Sequence, residues 1–213
     1  MADDFPIIEK TFAFRCTQCA DCCTGDQTVF LNLFDLYKMA QYLQLNHTAL
    51  LFSKKIVALK KDTQNDVYRP VIRFKSRPFK FCPFLINEWG ENGKITGWCR
   101  LHPRHKPLVC SLAPVGVRFD AAEDSLQFLL VPPTDRCPGL KEAPVQILEE
   151  YLAPYQQEIA FQNLFFKVLE CVKSNGWSAA QFQHNLYAFS LQKPFAETLE
   201  DILRVHCGTD RIS

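Results

Sequence analysis

Apolar residues recur at helical spacing at several places along this chain and alternate at others, while the segment nearest the start does neither. Behind Asn32, the positions Leu33, Leu36, Tyr37, Ala40 and Leu43 fall on one helical face. Asn32 can accept from the first-turn amides, and Asp35 at the third position suits the helix start, so a capped helix is predicted there. A second short helix starts at Thr48. The run Val67 to Phe74 alternates as a strand and, with Pro70 inside it, belongs at a sheet edge. A further strand runs from Leu126 to Val131 and stops at Pro132-Pro133. From about Lys141 the spacing turns helical. Val145, Leu148, Leu152, Tyr155, Ile159, Leu164, Val168 and Val172 make one long stripe, which Pro154 kinks or divides and Asn175-Gly176 closes. Ser178 with Gln181 forms a capping box for the next helix, and Pro194 suits the first turn of a last one.

The fold class this pattern predicts is α+β: a cysteine-rich region of loops and short strands over residues 1–140, then a helical region over residues 141–213 packed on it as one unit. Within the first region, Glu91-Asn92-Gly93-Lys94 reads as a tight hairpin turn between two β-prone runs. Such a turn brings Cys82 and Cys99 toward the same end. The segment Phe12 to Asp26, dense in Cys and short polar residues, reads as a loop ordered by what it binds.

Composition narrows what that loop is for. A chain of 213 residues with 47% hydrophobic residues and 18 Phe can bury roughly 70% of its unfolded surface, so it needs no covalent staple to fold. Lys and Arg total 24 against 23 Asp and Glu. That balance gives no long-range field toward nucleic acid, anionic membrane or acidic substrate. Met1-Ala2-Asp3-Asp4 does not open a secretory leader, and no apolar run approaches the roughly 20 residues of a membrane helix. The reading is a cytoplasmic protein without a membrane partner. Ten cysteines in a reducing compartment then point away from a disulfide framework and toward metal or redox chemistry.

The strongest local signal is Cys16-Thr-Gln-Cys19-Ala-Asp-Cys22-Cys23. Two residues between sulfurs let one loop turn its thiolates onto a single centre, as in zinc sites and ferredoxin runs. Three in series suit an iron-sulfur cluster completed by a distant Cys followed by Pro, and Cys82-Pro83 and Cys137-Pro138 both qualify. Zinc is the competing metal, because four thiolates satisfy its tetrahedron and eight could hold two ions. Softness of the ligands does not separate the two. Cys22 and Cys23 are adjacent, and neighbouring side chains usually diverge, so one of the two is read as a ligand while the other packs or serves a second metal. The run from Cys99 to Cys110 adds two sulfurs with His102 and His105, either of which could replace a thiolate, though a histidine there more often orients ligands. The expected ligand set is therefore Cys16, Cys19, Cys22, Cys23, Cys82, Cys99, Cys110 and Cys137. Cys171 lies on the apolar stripe as a buried core thiol, and Cys207 has no partner at metal spacing.

Other chemistries fit less well. No single cysteine stands apart beside a base, as a Cys-His nucleophile would. The Cys16 region lacks the βαβ setting of a dithiol exchanger. Nine Lys or Arg between Lys54 and Lys80, against Asp62 and Asp66, read first as a solvated strand and loop face and second as a partner surface.

With the cysteines in order, the chain resembles the YkgJ-type CxxCxxCC cysteine-cluster family of zinc- or iron-chelating domains. The resemblance covers about residues 12–140. It runs through Cys16 to Cys23, the Asp35 helix, Cys82-Pro83-Phe84-Leu85, Cys99 with His102, Pro107-x2-Cys110 and Cys137-Pro138-Gly139. The family includes flagellin lysine N-methylases. The resemblance therefore implies a metal centre, with a four-iron four-sulfur cluster or zinc as the cofactor. It also implies S-adenosylmethionine-dependent methyl transfer to a lysine of a protein partner, a step for which the chain carries no glycine-rich nucleotide loop of its own. Two positions depart from the family pattern. Lys106-Pro107 stands where Arg-Pro is usual, and Cys110-Ser111-Leu112-Ala113-Pro114 where Cys-Arg and an aromatic-Pro pair often follow. Lysine does not reproduce the planar two-pronged contact of arginine. The alternative is a zinc-held module without catalytic activity that presents the basic Lys54 to Lys80 face to a partner.

Overall fold

The computed structural model describes residues 5–63, 65–77, 79–89, 93, 95–120, 122–141 and 143–208. Among these the elements follow in the order β1 (Thr11–Ala13), α1 (Leu33–Tyr42), α2 (Ala49–Ser53), β2 (Val57–Asp62), β3 (Val67–Ile72), β4 (Leu85–Trp89), β5 (Ile95–Cys99), α3 (Leu108–Leu112), β6 (Val115–Asp120), β7 (Ser125–Leu130), β8 (Val145–Ile147), α4 (Leu148–Leu152), α5 (Gln156–Val172), α6 (Ala179–Phe182) and α7 (Phe195–Cys207). Short antiparallel strand pairs with a helical C-terminal part make this an α+β fold, as the hydrophobic pattern predicts. The chain forms two compact units that interleave in sequence: Met1–Gln27, Phe74–His102 and Leu108–Gln156 in the first, and Thr28–Arg73, Pro103–Pro107 and Gln157–Ser213 in the second.

The first unit is built from three two-stranded ribbons, β1 with β8, β4 with β5, and β6 with β7. Phe12, Phe14, Leu112, Val115, Leu129, Leu148 and Leu152 are buried here. Phe12 meets the edge of Tyr151 with ring centroids 5.0 Å apart. The Tyr151 hydroxyl donates to the carbonyl of Ala113 at 2.8 Å, so its polar end is satisfied on the ribbon side.

The second unit carries the capping boxes. The Asp35 amide donates to Asn32 Oδ1 at 2.7 Å and the Asn32 amide to Asp35 Oδ2 at 3.1 Å, satisfying two orphan donors at the start of α1. The remaining Asn32 amide nitrogen donates to Gln162 Oε1 of α5 at 2.6 Å, so the cap also fixes one helix to another. Phe34, Phe161 and Phe195 pack with centroids 4.8–5.0 Å apart. Thr48 precedes α2 as expected, but its hydroxyl donates across the unit to the carbonyl of Tyr187 at 2.7 Å rather than capping its own helix. Ser178 and Gln181 form the predicted capping box of α6. Gly176, with φ 62°, takes the left-handed position that closes the preceding helix, and Pro194 immediately precedes α7.

Several details differ from the pattern reading. Val145 and Ile147 are exposed and form β8, with Ala13 opposite Val145 and Thr11 opposite Ile147, so the helix begins only at Leu148. β1 offers these β-branched residues a backbone partner, and that partner overrides the helical spacing. Pro154 lies in a 3-10 turn, Ala153–Tyr155, between α4 and α5. The strand at Val67 ends at Ile72, short of Phe74, and pairs with β2, whose Lys60 and Lys61 disguise it as a charged loop. Leu31 and Ile72 donate to Pro70 and Val29, so β3 has a bridging neighbour beside Pro70. The strand near Leu126 runs Ser125–Leu130 and pairs with β6. Cys171 is not a core thiol: it forms a disulfide with Cys207, joining α5 to α7 with Cα atoms 5.4 Å apart, within the usual range for such a bond.

Candidate metal centre

All eight cysteines of the expected ligand set lie in the first unit and carry thiols rather than disulfides. The Cys16 loop is coiled by two non-glycine residues in the left-handed region, Gln18 at φ 55° and Ala20 at φ 65°. That conformation is uncommon for a residue with a side chain and must be held from outside. The holding contacts are backbone ones. Gly97 of β5 donates its amide to the carbonyl of Gln18 at 2.8 Å, and Arg15 donates to Gly139 at 2.9 Å. Cys82 donates to Cys23 at 2.7 Å, and Gly25 to Lys80 at 2.9 Å. At two of these crossings only glycine fits. A Cβ on Gly97 would lie 2.3 Å from the Ala20 Cβ, and one on Gly139 would lie 2.4 Å from the Arg15 carbonyl oxygen.

These crossings bring the segments that bear Cys82, Cys99 and Cys137 to the Cys16 loop. The Leu85 amide donates to the Cys82 carbonyl at 3.1 Å, and Leu85 stands opposite Cys99 in the β4–β5 register. Cys82 and Cys99 therefore lie at the same end of that ribbon, as the hairpin reading predicts. The turn residues Glu91, Asn92 and Lys94 lie outside the described residues. Cys137 leads into a 3-10 turn, Pro138–Leu140, whose Gly139 is the residue that meets Arg15. Cys110 sits in α3, a short helix in a stretch read from sequence as loops and strands. His102 is exposed, and its amide donates to the Cys99 carbonyl at 3.0 Å. His105 belongs to the second unit, where its ring faces Tyr42 at 5.6 Å.

The thiols affect one another electrostatically. The Cys22 and Cys23 sulfurs are 4.0 Å apart, and this hydrogen-bonding contact, then burial, then the charges of Cys22, Cys82 and Cys110, push the Cys23 thiol far above its ordinary range. Burial pushes Cys82 up to about 11, with Cys99 and Cys22 adding to the shift and the backbone N–H groups of Phe84 and Leu85 opposing it. Cys137 is raised first by burial, then by Cys19, Cys22 and Cys16. Crowded like charges favour the neutral thiol, and a bound cation inverts that preference. In donor chemistry alone, eight thiols suit zinc or iron-sulfur ligation. Among the described residues no three His, Cys, Asp or Glu side chains stand in a ready-made metal-binding group. The main chain brings the segments of Cys82, Cys99 and Cys137 to the Cys16 loop, and the Cys22 and Cys23 sulfurs stand 4.0 Å apart.

Beside the loop, Asp21, Thr24, Pro133, Thr134, Asp135 and Arg136 line an open polar cleft of ≈ 520 Å³. The Thr134 hydroxyl is buried without a hydrogen-bond partner among the described residues. Sequence reasoning missed this cleft, along with Gly97 and the left-handed pair Gln18 and Ala20, none of which carries a local signal. The basic stretch divides between the units, and much of its charge is already engaged. Lys61 pairs with Asp66 at 2.7 Å, Arg69 with Asp62 at 3.3 Å, Lys60 donates to the Thr28 hydroxyl at 2.8 Å, and Lys80 pairs with Asp26. Lys61–Asp66 and Lys80–Asp26 are exposed pairs, whereas Arg69–Asp62 is largely buried, with the guanidinium over the Phe30 ring.

Compared with protein-family models, with curated proteins and with solved structures, the chain matches none. No helix among the described residues is long and apolar enough to cross a membrane.

Proposed function

We propose that this protein binds a metal centre, an iron-sulfur cluster first and zinc second, through Cys16, Cys19, Cys22, Cys23, Cys82, Cys99, Cys110 and Cys137. One observation carries the reading: the main-chain hydrogen bonds of the Cys16 loop run to the very segments that bear Cys82, Cys99 and Cys137. A loop with two left-handed non-glycine residues has no reason to be wound against three cysteine-bearing segments for packing alone, since Cys16, Cys19 and Cys22 are exposed and bury no core. When bound, the metal supplies positive charge at the point where crowded thiols resist losing their protons. The chain's own part would be to hold the cysteine-bearing segments against one another through their main chains.

Iron-sulfur is the first choice because the C-x2-C-x2-C run with a remote Cys-Pro is the ferredoxin arrangement. Anaerobic purification with analysis for iron, sulfide and zinc tests it. Brown protein with equimolar iron and sulfide supports the cluster, and colourless protein with zinc supports the second reading. Metal-free protein whose melting is unchanged by strong chelation overturns both. Methyl transfer to a protein lysine is a further proposal that rests on the family resemblance. Its test is calorimetric titration of S-adenosylmethionine into the reconstituted protein, where absence of binding removes it.

A further inference from the structure

We propose that the Cys171–Cys207 disulfide is a thiol-reversible latch on the C-terminal half of α7, and that its redox state decides whether the groove between α7 and residues 185–193 is formed. The inference does not rest on the metal reading, because every residue it uses lies in the second unit.

The two halves of α7 are held differently. Phe195, Thr198 and Leu199 are buried in the first half, and the Phe195 ring packs on Phe34, Phe161 and Tyr37 with centroids 4.8, 4.9 and 5.5 Å away. Apolar burial of this kind holds a helix without covalent help. The second half has far less. Leu203 is buried there, but Val205 is 73% exposed, and Asp201 makes only exposed ion pairs, with Lys193 at 2.8 Å and with Arg204, which carry little weight. Beyond Leu203 the helix is fixed through His206 and Cys207. His206 Nε2 donates to the Asn185 carbonyl at 3.1 Å, with its ring edge-to-face with Trp177 at 5.5 Å, and Cys207 is bonded to Cys171 of α5. The disulfide is therefore the strong tie of the last turn.

That turn supplies one wall of a groove. Ile202, Val205 and His206 line an open space of ≈ 330 Å³ together with Asn185, Phe189 and Lys193. Freeing the last turn withdraws Val205 and His206 from the lining, so the groove is formed only while the latch is closed. The sulfurs suit reversible exchange. Both cysteines are half-buried rather than sealed in the core, so a thiol can reach them. Cys171 is the penultimate residue of α5 and Cys207 the last of α7, at helix ends whose dipole opposes a thiolate. That placement suits a responsive latch and not a fast exchange catalyst, which needs a stabilised thiolate. A dithiol reductant opens the latch in two steps. Its first thiolate attacks one sulfur, the Cys171–Cys207 bond breaks and a mixed disulfide forms. Its second thiolate displaces the protein sulfur, so the reductant leaves as a disulfide, two electrons pass to the protein, and Cys171 and Cys207 each end with a proton.

The test is amide hydrogen exchange on the full chain, read by mass spectrometry without reductant, after reduction by dithiothreitol, and in the paired variant Cys171→Ser with Cys207→Ser. Peptides covering residues 203–207 should exchange roughly 10-fold to 100-fold faster in the reduced protein and in the variant. Residues 195–199 and α5 should keep their protection. The variant should not respond to dithiothreitol, which separates the latch from any effect of the reductant on the eight other thiols. Oxidised glutathione, taking the two electrons back and leaving as two thiols, should restore the Cys171–Cys207 bond and slow the exchange again. Unchanged exchange over residues 203–207 on reduction overturns the latch. Loss of protection along all of α7 overturns it too, because the bond would then staple the entire helix. So does a protein in which Cys171 and Cys207 label as free thiols before reduction, or one in which either pairs with another cysteine on reoxidation. None of these outcomes bears on metal content, which elemental analysis reads separately.

Discussion

The amide of Cys82 donates to the carbonyl of Cys23 at 2.7 Å, so two cysteines far apart in the chain are joined through their main chains rather than through their sulfurs. The bond leaves both side chains available while bringing their Cα atoms close. A disulfide would consume the thiols. A backbone bridge leaves both as thiols, and bonds of this kind also tie Arg15 to Gly139 and Gln18 to Gly97.

If backbone crossings position the thiols, filling a crossing should displace them. Gly139→Ala puts a Cβ 2.4 Å from the Arg15 carbonyl oxygen and 2.9 Å from the Phe14 ring. The expected cost is about 1–3 kcal/mol of stability. Metal content should fall by a larger factor than the melting temperature alone explains. Urea unfolding and metal analysis of the same preparation check both, and full metal content in a destabilised variant would contradict the positioning role.

The metal-free protein should weaken in alkali. Cys82 is raised from an ordinary 9.0 to about 11 and Tyr151 from 10.0 to about 12, in both cases chiefly by burial. The folded state holds these protons longer than the unfolded chain does, so the contribution is intact below pH 9 and is lost as pH rises through the folded values. For Cys82 the loss is on the order of 2–3 kcal/mol. Denaturant midpoints at pH 8 and near pH 11 read it directly. Bound metal removes the Cys82 proton beforehand, so the thiol part of the slope should vanish on loading.

In the second unit, Lys38 is buried with its ammonium 2.6 Å from Glu158, 3.6 Å from Asp35 and 2.7 Å from the carbonyl of Lys106. Lys38→Met keeps much of the stem but leaves two carboxylates without their shared cation. Breaking such a buried network costs about 3–5 kcal/mol. Glu158→Gln, which keeps a hydrogen-bond acceptor beside the ammonium, should cost less. Equal losses in chemical denaturation would argue that volume, not charge, holds the site.

Reduction of the Cys171–Cys207 disulfide should loosen α7 from α5. The bond closes a loop across a separation of 36 residues, for which constraint of the unfolded chain is worth roughly 2–4 kcal/mol. Cys171→Ser with Cys207→Ser should therefore melt lower than the oxidised protein and match the reduced one. Identical melting of oxidised and reduced protein would remove the staple from the energetics.

What could be read along the chain was whatever closes on itself within a few residues. The capping boxes at Asn32 and Ser178, the left-handed close at Gly176 and the thiol spacing from Cys16 to Cys23 all depend on neighbours three or four positions away, and the amino-acid order specifies them directly. Tertiary structure decided everything that needed a distant partner. Val145 and Ile147 became a strand because β1 met them, Lys60 and Lys61 sit in a strand because β3 lies opposite, and Cys171 found Cys207 because two helices pack side by side. The interleaving of the two units and the winding of the Cys16 loop against the Cys82, Cys99 and Cys137 segments belong to the same category. A hydrogen bond between residues far apart in sequence leaves no periodic trace in either one, so only the folded chain reveals it.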